Sequence, residues 1–221
     1  MKLKGILWLV VVSCFLFACK DDETPTPDNT VNTNPDAKDT LIELTTDHGT
    51  MTLYMFQGTP KHRANFHKLV EAGFYNDTEF HRIIPNFMIQ GGDPLSKDAD
   101  RSNDGTGGPG YTIPAEIDAN KFPHVLGAVA AARIGDTQNP QRASSGSQFY
   151  IVVSESGTAH LNGAYTVFGQ VIKNTSVAQT IVTQPRIDTQ TNRPKDRIKM
   201  QMKLIETTPA EIKAEYGFDV K

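Results

Sequence analysis

The sequence predicts an all-β sandwich or barrel carrying two helices, and three observations predict it. Apolar residues recur in many short runs of strand length, several of them alternating with polar residues. Clusters of Gly, Pro and Asn separate those runs. Only two segments carry a helical apolar stripe, too few for alternating βαβ units. A chain of 221 residues suits one core with appendages. With 38% hydrophobic and 21% charged residues and a formal net charge of −3, it has an ordinary soluble composition and no basic footprint for nucleic acid.

The first appendage is N-terminal. Lys2 and Lys4 precede an almost uninterrupted apolar run from Gly5 to Ala18, and Cys19 follows. This is the pattern of a secretory signal peptide over residues 1–18, and the run is shorter than the roughly 20 apolar residues that span a bilayer comfortably. Leu16-Phe17-Ala18-Cys19 resembles a bacterial lipobox. The resemblance implies cleavage before Cys19 and acylation of its sulfur and new amino group, which would anchor the protein to a lipid membrane. The expected location is the bacterial cell envelope, at the outer membrane, periplasmic or surface-exposed. The alternative is an uncleaved transmembrane anchor with an incidental cysteine. The other cysteine, Cys14, lies in the segment to be removed, so the mature fold has no disulfide to draw on.

Residues 19–40 are rich in Asp, Asn, Thr and Pro and offer almost nothing to bury, which predicts a disordered tether. Its start, Lys20-Asp21-Asp22-Glu23, resembles the charged surface-export signal of lipoproteins from Bacteroidetes-type bacteria, or is simply solvated linker.

The pattern changes at Leu41, where the folded domain, residues 41–208, is expected to begin. Leu41 to Thr45 and Thr50 to Met55 form two short strands joined by a turn at Asp47-His48-Gly49. A helix follows, with Thr59 as cap, Pro60 in its first position, a stripe of Phe66, Leu69 and Val70, and Gly73 as its stop. Further strands are predicted at Glu79–Ile84, Gly127–Ala132, Gln148–Val153, Thr166–Val171 and Ile198–Ile205, with a second helix from Ser176 to about Thr183. Residues 209–221 form a tail, either a short docked helix or loose chain.

The chemistry concentrates in Phe80-His81-Arg82-Ile83-Ile84-Pro85-Asn86-Phe87-Met88-Ile89-Gln90-Gly91-Gly92-Asp93. By spacing alone this is an amphipathic strand with a solvated arginine, then a proline turn and a glycine break. The segment also resembles the signature of the cyclophilin family, FHRIIPxFMxQGGD, with Asn86 at the variable position. The likeness continues through Gly105-Thr106-Gly107-Gly108, Ser147-Gln148-Phe149-Tyr150-Ile151, Leu161-Asn162-Gly163 and Val167-Phe168-Gly169, in the family's order.

The resemblance implies a closed, eight-stranded antiparallel barrel capped by helices. It implies a peptidyl-prolyl cis/trans isomerase that acts on proline-containing polypeptides without cofactor; a monomer without metal is expected. Arg82 would be the catalytic arginine and Gln90 the amide that bonds a substrate carbonyl. Phe87, Met88, Tyr150 and Leu161 would line the proline pocket, and His81, Ala132 and Gln148 would border the substrate. Gly105 and Thr106 would form a loop beside the substrate chain.

This residue set suits the reaction. An Xaa-Pro bond turns over a barrier of about 18–20 kcal/mol because amide resonance must be lost. No nucleophile is needed. In the twisted state the prolyl nitrogen regains its lone pair, and a fixed guanidinium donating to it favours that state. A non-catalytic module or chaperone that holds proline segments is the second reading.

Several positions depart from the pattern. Tyr150 replaces a frequent phenylalanine, so its hydroxyl needs water or a partner. His160 stands where many eukaryotic relatives have tryptophan, and is expected at the pocket rim. Tyr165 replaces a frequent histidine and is expected to form pocket wall. Arg133 replaces an asparagine, which leaves its side-chain role open. The loops Leu95–Asp104 and Gly135–Ser145 look long and are expected to be solvated. The glycines from Gly105 to Gly110 are not a phosphate loop, because no Lys-Ser or Lys-Thr follows. His62 and His67 lack i,i+4 spacing, so no zinc site is expected.

Overall fold

The computed structural model describes residues 31, 32 and 34–220. The signal segment, Cys19 and the tether up to Thr30 lie outside the described residues. The strands are β1 (Asp39–Thr46), β2 (Gly49–Met55), β3 (Arg82–Ile84), β4 (Met88–Gly91), β5 (Thr112–Ile113), β6 (Ala128–Ala131), β7 (Ser144–Ser145), β8 (Phe149–Val152), β9 (Val167–Lys173) and β10 (Gln201–Thr207). The helices are α1 (Pro60–Glu71), α2 (Thr175–Val182) and α3 (Pro209–Tyr216). Eight strands form one antiparallel sheet in the order β10-β1-β2-β9-β6-β8-β4-β3, while β5 and β7 pair separately. Beyond the two sheet ends, Phe80 N–H donates to Ile198 O at 2.9 Å and Met200 N–H to Thr78 O at 2.9 Å.

The period-2 alternation sorts side chains to two faces. Ile83, Ile89, Ile151 and Val129 are successive cross-strand partners and enter one cluster with Ile42, Leu44 and Phe149. Their neighbours Met88, Tyr150, Val152 and Ala130 face the other way, into a second cluster with Leu41, Tyr54, Phe122 and Ile212. The site is built on this second face.

Helix α1 has the expected Pro60 start and buried Phe66, Leu69 and Val70. Its N-terminus is satisfied differently from the expected Thr59 cap. Thr59 Oγ1 donates back to Phe56 O, and the Glu116 carboxylate accepts the N–H groups of Lys61 at 3.0 Å and His62 at 2.9 Å. A carboxylate from 54 residues away thus meets both the orphan donors and the positive end of the helix.

The two ends of the domain are defined by the structure. Strand β1 begins at Asp39, inside the expected tether. Asp39 is 5% exposed and accepts hydrogen bonds from the Tyr54 hydroxyl, Gln57 and Arg63. The expected tail holds a third helix. Thr208 and Glu211 form a reciprocal capping box, Gly217 ends α3 at φ 65°, and Ile212 is fully buried. The chain ahead of β1 meets this helix where Ala210 N–H donates to Pro35 O at 3.1 Å.

Both long loops are tied down rather than merely solvated. Arg101 donates to Lys195 O and Pro194 O, and the buried Glu79 carboxylate lies 2.6 Å from Arg197. In the second loop Arg142 donates to Gly163 O at 2.6 Å and to Asp136 at 3.2 Å.

Candidate active site

The β3–β4 hairpin carries the site. Phe87 N–H donates to Ile84 O at 3.1 Å, with Pro85 and Asn86 between them and Asn86 at φ 57°. Proline fixes the first turn position, and asparagine tolerates the left-handed second one. The hairpin register sets Arg82 opposite Gln90, and Gln90 opposite Tyr150 on β8. Directly paired residues share a face, so these three stand in a row.

Hydrogen bonds run along that row and beyond it. Arg82 Nη1 donates to Gln90 Oε1 at 3.2 Å, and Gln90 Nε2 donates to Gln148 Oε1 at 3.0 Å. Gln148 Nε2 reaches Gly105 O at 3.0 Å and Gly107 O at 2.7 Å. The buried Asp93 carboxylate holds the same loop through the Gly107 N–H at 3.0 Å. A Cβ on Gly107 would sit 2.2 Å from Asp93 Oδ1, so this position requires glycine.

Beside Arg82 lies a pocket of about 210 Å³ lined by Phe87, Met88, Gln90, Ala132, Arg133, Tyr150, Leu161 and Tyr165. It continues into a wider groove lined by Gly105, Thr106, Ala132, Gln148 and Tyr111, among others. The geometry gathers most of the sequence-derived set. Two residues stand apart from the pocket lining. His81 is buried beneath Gly105, so it supports that loop from below rather than facing the pocket. His160 is exposed and stacks on Phe87, centroids 5.6 Å apart, as a rim residue.

The family model for cyclophilin-type peptidyl-prolyl cis-trans isomerase/CLD matches residues 41–204. The chain belongs to the cyclophilin family. A peptidyl-prolyl cis-trans isomerase of Synechococcus elongatus is 44% identical over 128 residues, which cover 58% of this chain and 77% of the relative. The peptidyl-prolyl cis-trans isomerase B of Bacillus subtilis is 41% identical over 125 residues, 57% of this chain and 77% of the relative. A cyclophilin from Cryptosporidium parvum, crystallised in the presence of the dipeptide Ala-Pro, superposes with a TM-score of 0.63 at 27% identity. That alignment covers 76% of this chain and 99% of the other. The protein is thus a cyclophilin-type peptidyl-prolyl isomerase.

Electrostatics in this cyclophilin site follow from burial. Desolvation lowers the Arg82 guanidinium from its usual value, with Tyr165 opposing, and a guanidinium stays charged at neutral pH. Burial pushes the His81 imidazole down to about 4, against the pull of Asp93. The Tyr150 hydroxyl is raised strongly, again by burial first.

Sequence reasoning left the Arg133 side chain unassigned. Its guanidinium lies 4.4 Å from the Tyr165 ring centroid, Nε donates to Ala164 O at 2.8 Å, and Nη1 meets Asp136 at 2.6 Å. Arg133 and Tyr165 therefore make one pocket wall. The Tyr150 hydroxyl, which needed a partner, finds His124 Nε2 at 2.9 Å. No motif signals His124, because this contact joins segments 26 residues apart.

Proposed function

We propose that this cyclophilin turns Xaa-Pro bonds in exported polypeptides, with Arg82 as the group that acts on the prolyl nitrogen. The observation that carries this reading is the guanidinium held by Gln90 at the edge of a pocket of about 210 Å³ whose wall includes Phe87, Met88, Tyr150 and Leu161. The pocket takes the proline ring against Phe87, Met88, Tyr150 and Leu161. Gln90 bonds the carbonyl of the substrate chain, and Ala132, Gln148, Gly105 and Thr106 flank the residues before proline. As the carbonyl side rotates, the nitrogen pyramidalises and its lone pair accepts from Arg82. That interaction is absent in the planar amide, so it lowers the barrier and not merely the ground state. Each 1.36 kcal/mol of such preference is worth about tenfold in rate. The proline-containing dipeptide used with the Cryptosporidium parvum relative supports this substrate class.

The closed barrel belongs to the same reading, supported by the hydrogen bonds that join residues 78–80 to residues 198–200 beyond the sheet ends. The lipobox-like Leu16-Phe17-Ala18-Cys19 supports an acylated envelope protein held on a tether.

A protease-coupled assay with a proline peptide tests the activity. The protein accelerates cis-to-trans conversion on this account. Binding of the peptide with no acceleration would instead make it a holding module. Cys19→Ser tests the anchor, since it should move the protein from the membrane to the soluble fraction. An unchanged distribution would remove the acyl anchor.

A further inference from the structure

We propose that His124 is a positioning residue for the proline pocket, acting through the Tyr150 hydroxyl and itself aligned by Asn162. The inference rests on the isomerase reading above. The Tyr150 hydroxyl is a polar group in an apolar cluster. Tyr150 is 5% exposed on the pocket floor, and a hydroxyl there needs a permanent partner.

The partner's orientation follows from chemistry alone. His124, 3% exposed, places Nδ1 2.8 Å from Asn162 Oδ1, and its backbone N–H donates to the same atom at 2.9 Å. A backbone N–H accepts nothing, so the amide must present its oxygen. An oxygen acceptor in turn requires the proton on Nδ1. Neutral imidazole then leaves Nε2 as an acceptor, and the Tyr150 O–H donates to it across 2.9 Å. Burial holds His124 below the usual histidine value, with Asn162 opposing and His160 adding to the shift, which agrees with a neutral ring.

The same residue fixes the far wall. Thr158 N–H donates to His124 O at 2.8 Å, so the turn Ala159–Leu161 is strapped to His124 at both ends, by Thr158 and by Asn162. Leu161 on that turn faces the pocket that Tyr150 floors. His124 and Tyr150 stack nearly parallel, 11° apart with centroids at 6.0 Å, and Tyr165 meets the Tyr150 ring edge-on at 6.0 Å. One imidazole therefore sets the distance between floor and wall.

The test is a cycle in the full chain. His124→Leu should raise KM for a proline peptide about tenfold, the scale of one buried hydroxyl left without its partner, and change kcat by less than about threefold. In a Tyr150→Phe background the same substitution should raise KM by less than about threefold, because no hydroxyl remains to be satisfied. A purely structural role would lower the thermal midpoint equally in both backgrounds and leave KM uncoupled. Should His124→Leu fail to fold, Asn162→Ala replaces it, with the same KM rise and the same reduction by Tyr150→Phe expected. Equal KM effects in both backgrounds, or none in either, overturn the inference while leaving the isomerase reading intact. An inactive wild type overturns both.

Discussion

A guanidinium carries five N–H donors in a rigid plane, so the bond from Arg82 to Gln90 fixes its direction and leaves donors for a substrate. Gln90 is fixed in turn by Gln148, whose amide holds the carbonyls of Gly105 and Gly107. The three side chains form one line of alignment from the loop to the Arg82 guanidinium. Gln148→Leu breaks the middle link. We expect kcat/KM to fall about tenfold, the value of one or two net hydrogen bonds, with the thermal midpoint little changed. An unchanged rate in the proline peptide assay would show that Arg82 and Gln90 align without it. These residues were legible because they fall in contiguous motifs. His124 and Asn162 were not, since 38 residues separate two groups that meet only through folding. His81 lies off the pocket for a local reason: its neighbour Arg82 points to the pocket face, and alternation turns His81 the other way.

Elements were legible where their signals were local. Pro60 and Gly73 bracket α1, and the alternation in β1 and β2 shows directly as Ile42 and Leu44 opposite Leu53 and Met51. Helix α3 stood open against loose chain because its apolar stripe is weak, although Thr208, Pro209, Glu211 and Gly217 supply a capping box and a stop. Its buried Ile212 joins the cluster of Leu41, Tyr54 and Phe122. Ile212→Ala should therefore cost about 2–5 kcal/mol in urea unfolding, and a loss below about 0.5 kcal/mol would mean the helix is not docked. The cap of α1 was illegible because Glu116 arrives from a remote loop. Burial alone would raise the Glu116 carboxyl, but bonds from the His62 ring and from the Lys61 and His62 N–H groups hold it below its usual value. Glu116→Ala should lower stability by about 1–2 kcal/mol, the worth of a helix cap, measured by the same method.

The whole molecule has no disulfide among its described residues and rests on two apolar clusters back to back on one sheet. One buried and one half-buried histidine give the fold a pH dependence. Burial pushes His81 and His67 each down to about 4 in the fold, while an unfolded histidine titrates near 6.5. Between those values the unfolded chain binds more protons, so stability falls as pH drops from about 6.5 to about 4 and is level above that window. His81 alone contributes on the order of 3 kcal/mol to that fall. Urea midpoints from pH 7.5 to 4.5 should decline less steeply for His81→Asn than for wild type. Parallel declines would show that His81 titrates normally.

One guanidinium carries the proposed mechanism, and Arg82→Ala in the proline peptide assay reaches it most directly. Removing a donor that acts only on the twisted state should lower kcat by about 10²-fold or more, with circular dichroism and thermal midpoint unchanged. A folded Arg82→Ala protein that isomerises proline bonds at the wild-type rate would contradict the mechanism.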